Sequence, residues 1–175
     1  MKKVPDYIDT VGQILVKLEK LGFCPVLVGG MALVILGSPR VTKDFDFLIC
    51  TEGMDYKKLF EIFYKKGFAL ASKVDQHNNI LTTINNQNIA VARVKIDAPG
   101  SIYFLNPKTG LRIDLLLDFP LPASELVTRA KIKKIRSYSF RVASTADIIK
   151  LKKISYKDRA SAADAADLEF LRKLK

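Results

Sequence analysis

Two carboxylates one residue apart, Asp44 and Asp46, follow a glycine pair, Gly29 and Gly30, after thirteen intervening residues. This stretch is the part of the chain equipped for chemistry. Side chains two apart on a strand share a face, with their β-carbons about 7 Å apart. Phe45 and Phe47 then anchor the opposite face in a core. Two like charges held so close repel unless a cation sits between them. Mg²⁺ suits such a pair because it accepts one or two carboxylates, keeps some water and takes further oxygens from phosphate. The glycines lack side chains, so backbone can approach a phosphate closely, and a helix opening there offers free N–H groups. Arg40, Thr42 and Lys43 precede the acids closely enough to line the same pocket.

A third acid is expected on a neighbouring strand. In the run Leu111 to Leu117, Asp114 stands among apolar residues, where an unpaired charge is expensive to bury. Arg112 shares its face and could neutralise either the acids or a phosphate. Asp118 is the alternative, but it lies at the strand end, about 13 Å further along. Three carboxylates holding two Mg²⁺ ions, or Mn²⁺ in their place, would let one ion activate an attacking hydroxyl while the other steadies a triphosphate. Asp114 would serve as general base or as a ligand of the activating ion.

The elements that must position these residues can be read from periodicity. Ile8, Val11, Ile14, Leu15, Leu18 and Leu21 mark an amphipathic helix over Tyr7 to Leu21, and Gly22 stops it. Pro25 to Val28 reads as a buried strand, Met31 to Leu36 as a helix, Asp44 to Cys50 as an alternating strand and Asp55 to Gly67 as a second amphipathic helix. Further strands are expected at Phe68 to Val74, Ile89 to Ile96, Ile102 to Leu105 and Leu111 to Asp118. The Asn-rich tract between them, Asn78 to Asn88, reads as loops. Beyond Pro122 the pattern predicts helices over Ser124 to Lys134, Ser144 to Ser155 and Asp158 to Leu174, with a short strand at Ser139 to Val142. The fold class is therefore α+β: a mixed sheet with helices on one face (residues 1–121) and a C-terminal, mostly helical extension (122–175) packed as one unit with it.

Bulk properties agree with a nucleotide or nucleic-acid partner without demanding one. With 29 Lys plus Arg against 18 Asp plus Glu among 175 residues, the net charge is +11. Cys24 and Cys50 have neither disulfide nor metal spacing, and reduced core thiols are expected. Lys2 and Lys3 are followed by no apolar run of a signal peptide, and no segment is long enough to span a membrane, so a cytoplasmic location is expected. His77, the only histidine, falls in the Asn-rich tract and is given no role. The basic run Lys131, Lys133, Lys134 and Arg136 could follow a nucleic-acid backbone or form a solvated face. Asp164 and Asp167, spaced for one helical face, read as exposed charges or caps sooner than as ligands.

The order strand, Gly29–Gly30, helix, Asp44–Phe45–Asp46, with Asp114 far downstream, resembles the nucleotidyltransferase superfamily related to DNA polymerase beta. More narrowly, Gly30-Met-Ala32 with Gly37-Ser-Pro-Arg40-Val-Thr42-Lys-Asp44-Phe-Asp46 looks like the AbiEii-type and minimal nucleotidyltransferases, which often serve as the toxin of a toxin–antitoxin or phage-defence pair. The C-terminal run Ser144 to Lys150, then Arg159, Asp164 and Asp167, is similar to their helical region, with Ala163 where a lysine is usual. That resemblance implies transfer of a nucleoside monophosphate from a nucleoside triphosphate, with Lys150 reaching the triphosphate. It implies as acceptor a hydroxyl of RNA or tRNA, of a protein such as a cognate antitoxin, or of a small molecule such as an aminoglycoside. A non-catalytic RNA- or protein-binding module on the same fold is the competing expectation.

Overall fold

The computed structural model describes residues 6–174; Lys2 and Lys3 lie outside them. The chain runs α1 (Tyr7–Lys20), β1 (Val26–Val28), α2 (Gly29–Ile35), β2 (Phe45–Ile49), α3 (Tyr56–Tyr64), β3 (Ala69–Val74), β4 (Ile80–Ile84) and α4 (Gln87–Asp97). It continues through β5 (Ser101–Leu105), β6 (Arg112–Leu117), α5 (Ala123–Arg129), β7 (Lys131–Ile135), β8 (Tyr138–Val142), α6 (Thr145–Arg159) and α7 (Ala162–Lys173). All eight strands join one mixed sheet in the order β4-β3-β5-β6-β2-β1-β8-β7. β2 lies parallel to β6 and β1 parallel to β8, while the other neighbours are antiparallel. This is the α+β mixed sheet that the periodicities call for, and strands from both sides of residue 122 share it.

Alternation within β2 decides which face does what. Phe45 and Phe47 are buried on one face, where the α3 side chains Phe60 and Phe63 pack on Phe104 of β5. Centroid separations of 5.1 Å edge-on and 4.0 Å stacked make this aromatic group the centre of the core. Asp46 points to the other face, over which α6 stands.

Three elements differ from the periodicity. Residues 89–96 form most of helix α4, not a strand: the Asn86 side chain caps it by accepting from the Ile89 N–H at 3.1 Å, and Ala90, Val91 and Val94 are the residues it buries. β4 occupies part of the Asn-rich tract, held against β3 by a turn in which Asp75 accepts from the backbone N–H groups of His77 and Asn79. The expected helix 124–134 stops at Arg129, and Lys131–Ile135 instead pairs with β8 through a tight turn with Arg136 at φ 57°. The basic residues Lys131, Lys133 and Lys134 therefore lie on an edge strand. α6 also runs on to Arg159 before Ala160, at φ 48°, breaks it from α7.

Candidate active site

Strand register brings the acids together. Val28, Asp46, Asp114 and Tyr103 are successive partners across β1, β2, β6 and β5, so they form one row on the same face. Neighbouring strands are about 4.8 Å apart, which sets Asp46 beside Asp114, and Asp44 precedes Asp46 on that face. Together they floor an open cleft of about 720 Å³ that Gly29, Gly30, Arg40 and Thr42 also line.

The electrostatics of the three acids differ. Burial first, then the charges of Asp114 and Asp44, push the Asp46 carboxyl up from 3.8 to about 7. Asp114 is gripped by Arg112, whose Nε and Nη2 donate to its two oxygens at 2.7 and 2.8 Å, yet burial still raises it above the usual carboxylate range. The Arg112 guanidinium sits 4.7 Å over the Tyr103 ring, which fixes its plane. Because that guanidinium is committed to Asp114, Asp44 and Asp46 are left without an ion pair among the described residues.

Gly29 is required by its backbone and by contact, and Gly30 gives room to Arg40. Gly29 has φ +65°, and a β-carbon there would lie 2.1 Å from Asp46 Oδ2. One on Gly30 would lie 2.9 Å from the Arg40 guanidinium carbon. No side chain caps α2, whose first N–H groups follow directly.

The facing wall is polar at one end. Arg40 pairs with Asp167 of α7, and Lys152 of α6 reaches both Asp167, at 2.7 Å, and Asp164, at 3.0 Å. Burial alone would raise the Asp164 carboxyl, but Lys152 and Ser161 outweigh it and hold it low. Arg159 lines the cleft and also pairs with Asp164. Asp164 and Asp167 are buried, not the exposed charges that their helical spacing predicts, because Lys152 and Arg40 pair with them.

Two expected nucleotide contacts lie elsewhere. Lys150 is exposed and does not line the cleft; Lys152 does, because Ile148, Lys152 and Ser155 follow one helical face that excludes Lys150. Lys43 is exposed and its Nζ lies by Gly110, about 4.0 Å from where a β-carbon would stand. Asp118 turns away to accept from Thr51 and Ala123. His77, Asn78 and Asn79 join the cleft rim, brought there by the β3–β4 hairpin, and no local signal in the sequence marks them. Phe119 and Pro120 line it too.

For a metal ion the donor set fits in part. No cluster of three His, Cys, Asp or Glu side chains among the described residues is close enough to hold an ion alone. The expected trio of ligands therefore reduces, in this arrangement, to Asp44 and Asp46, with Asp114 engaged by Arg112. Two unpaired carboxylates, one of them destabilised by its neighbours, suit Mg²⁺, which completes its shell with water and phosphate. Mn²⁺ accepts the same oxygens.

No protein-family model matches the chain, and no curated protein matches it in sequence. Solved structures do. An antigenic nucleotidyltransferase-like protein from Paracoccidioides brasiliensis superposes with TM-score 0.59 at 19% identity, covering 98% of this chain and 78% of that one. ANT(2'')-Ia in complex with adenylyl-2''-tobramycin gives 0.59 at 13%, covering 96% and 89%. The lincosamide antibiotic adenylyltransferase LnuA, lincomycin-bound, gives 0.57 at 11%, covering 95% and 97%. At these identities the likeness establishes a nucleotidyltransferase-like fold.

Proposed function

We propose that this protein is a Mg²⁺-dependent nucleotidyltransferase that moves a nucleoside monophosphate from a nucleoside triphosphate to an acceptor hydroxyl. The observation that carries this reading is the unpaired Asp44–Asp46 couple, in register with Asp114 and in contact with Gly29 at the start of an uncapped helix. A Mg²⁺ bound by Asp44 and Asp46 supplies charge neutralisation for the triphosphate and acidifies an attacking hydroxyl. The chain's own groups do the rest. Arg40 and Lys152, with the Gly29–Gly30 backbone, bind and orient the β- and γ-phosphates. Arg112 holds the Asp114 carboxyl in one orientation. That carboxylate, whose hold on a proton burial strengthens, receives the acceptor's proton as its oxygen bonds to the α-phosphorus and the bond to pyrophosphate breaks.

The acceptor we favour is RNA, tRNA included, on the strength of the +11 net charge and of Lys131, Lys133 and Lys134 along β7. A hydroxyl of a protein is the next choice, and a cognate antitoxin would be its natural candidate if the protein is a toxin. Likeness to the antibiotic adenylyltransferases supports a second reading, a small antibiotic as acceptor. The test is incubation with each α-labelled nucleoside triphosphate, Mg²⁺, and either total RNA, protein extract or an aminoglycoside and lincosamide panel. Label should move to one acceptor class and should not move with Asp44→Asn. Absence of transfer to every class, or full transfer by that variant, overturns the proposal.

A further inference from the structure

The cleft has a polar end and an apolar end, with the Asp44–Asp46 couple between them. At the polar end stand Arg40 and Lys152. Along β6 in the other direction the cleft face passes from Asp114 to Leu116, about 7 Å on, and then to Phe119. On α6 the lining starts with Ile148 and Leu151, and the charged residues Lys152 and Arg159 follow further along, with Ile154 and Ser155 between them.

Phe119 is a large aromatic that lines this cleft while 61% exposed. One side of its ring rests near Gly100, about 3.6 Å from where a β-carbon would stand. The turn that displays it is pinned. Asp118, at φ 50°, accepts from the Thr51 N–H at 2.7 Å, the Thr51 hydroxyl at 2.9 Å and the Ala123 N–H at 2.9 Å. A residue held in a sparsely populated backbone region by three hydrogen bonds presents its neighbour outward at a fixed angle. Phe119 therefore offers a free ring face at the cleft margin, where a planar apolar group could lie against it.

We propose that Phe119, with Leu116 and Leu151, forms the subsite that stacks the nucleobase of the incoming nucleoside triphosphate. The assignment rests on the nucleotidyl-transfer reading and adds to it where the base lies. A planar ring on Phe119 places the triphosphate toward Arg40 and Lys152, across the acid couple.

Calorimetric titration of the full chain with ATP and with inorganic tripolyphosphate, both with Mg²⁺, separates the two ideas. Base stacking on an aromatic should make ATP bind about 5- to 100-fold more tightly than tripolyphosphate in the unaltered protein. Phe119→Ala should erase most of that ratio while leaving tripolyphosphate binding unchanged, and Phe119→Tyr should restore it. Because the side chain is largely exposed, the alanine variant should keep the parent melting temperature. An unchanged ATP to tripolyphosphate ratio in Phe119→Ala overturns the subsite alone. Failure of both ligands to bind the parent protein overturns it together with the transferase reading.

Discussion

Replacing Asp46 by Asn should stabilise the metal-free protein while destroying its proposed activity. The carboxyl sits at about 7 when folded against 3.8 ordinarily, so the folded chain binds that proton more tightly than the unfolded chain. The associated stability is present below pH 4 and is lost as pH rises toward 7. At about 1.36 kcal/mol per tenfold change in proton affinity, the full loss is about 4 kcal/mol. Asp46 is only half-buried, and water access trims this to about 2 kcal/mol. Asn keeps the shape and removes the charge. In EDTA at pH 8, Asp46→Asn should therefore melt about 4–8 °C above the parent protein. At pH 4 the difference should vanish. Millimolar Mg²⁺ should raise the parent's melting temperature at pH 8 and leave the variant's nearly unchanged. A variant no more stable than the parent at pH 8, or a gain that persists at pH 4, would refute the claim that Asp46 carries an uncompensated charge.

Gly29→Ala meets the Asp46 carboxylate and a positive φ at once, and should cost about 1–3 kcal/mol in urea unfolding together with loss of transfer activity. Lys152→Ala should raise the KM for nucleoside triphosphate at least about tenfold, whereas Lys150→Ala, on the exposed face of α6, should leave it within about twofold; steady-state kinetics compare the two. Arg112→Met strips Asp114 of its partner and should cost about 3 kcal/mol at pH 8, less at pH 5 as the acid takes up a proton, by denaturant titration at both pH values.

How far the amino-acid order reveals the site depends on the range of the forces involved. Asp44 and Asp46 can be located because period-two alternation with Phe45 and Phe47 is a local property, and Asp114 because a lone acid in an apolar run has to be explained. Lys152 was within reach too, since the helical face defined by Ile148 and Ser155 favours it over Lys150. What could not be read is set by tertiary contact. The pairing of Arg112 with Asp114 is local, two residues apart on one strand face, but the Arg40–Asp167–Lys152 bridge joins residues far apart in the chain. α4 carries β-branched residues spaced much as in a strand, but it buries Ala90, Val91 and Val94 at helical spacing and is capped by Asn86. β7 escaped because an exposed edge strand has no apolar face to announce it.

Parallel pairing of β2 with β6 obliges the chain to make a long excursion between them, and within it the β3–β4 hairpin reaches the outer margin of the sheet with His77 and Asn79 at its tip. The reactive pair and its clamp are thus anchored at the centre, while the rim beside them is carried by the two outermost strands on that side and meets the clamp through the Asn78 carbonyl, which accepts from Arg112. A new side chain at His77 or Asn79 reshapes only the margin of the cleft, whereas a shift of the backbone at Asn78 travels through Arg112 to Asp114.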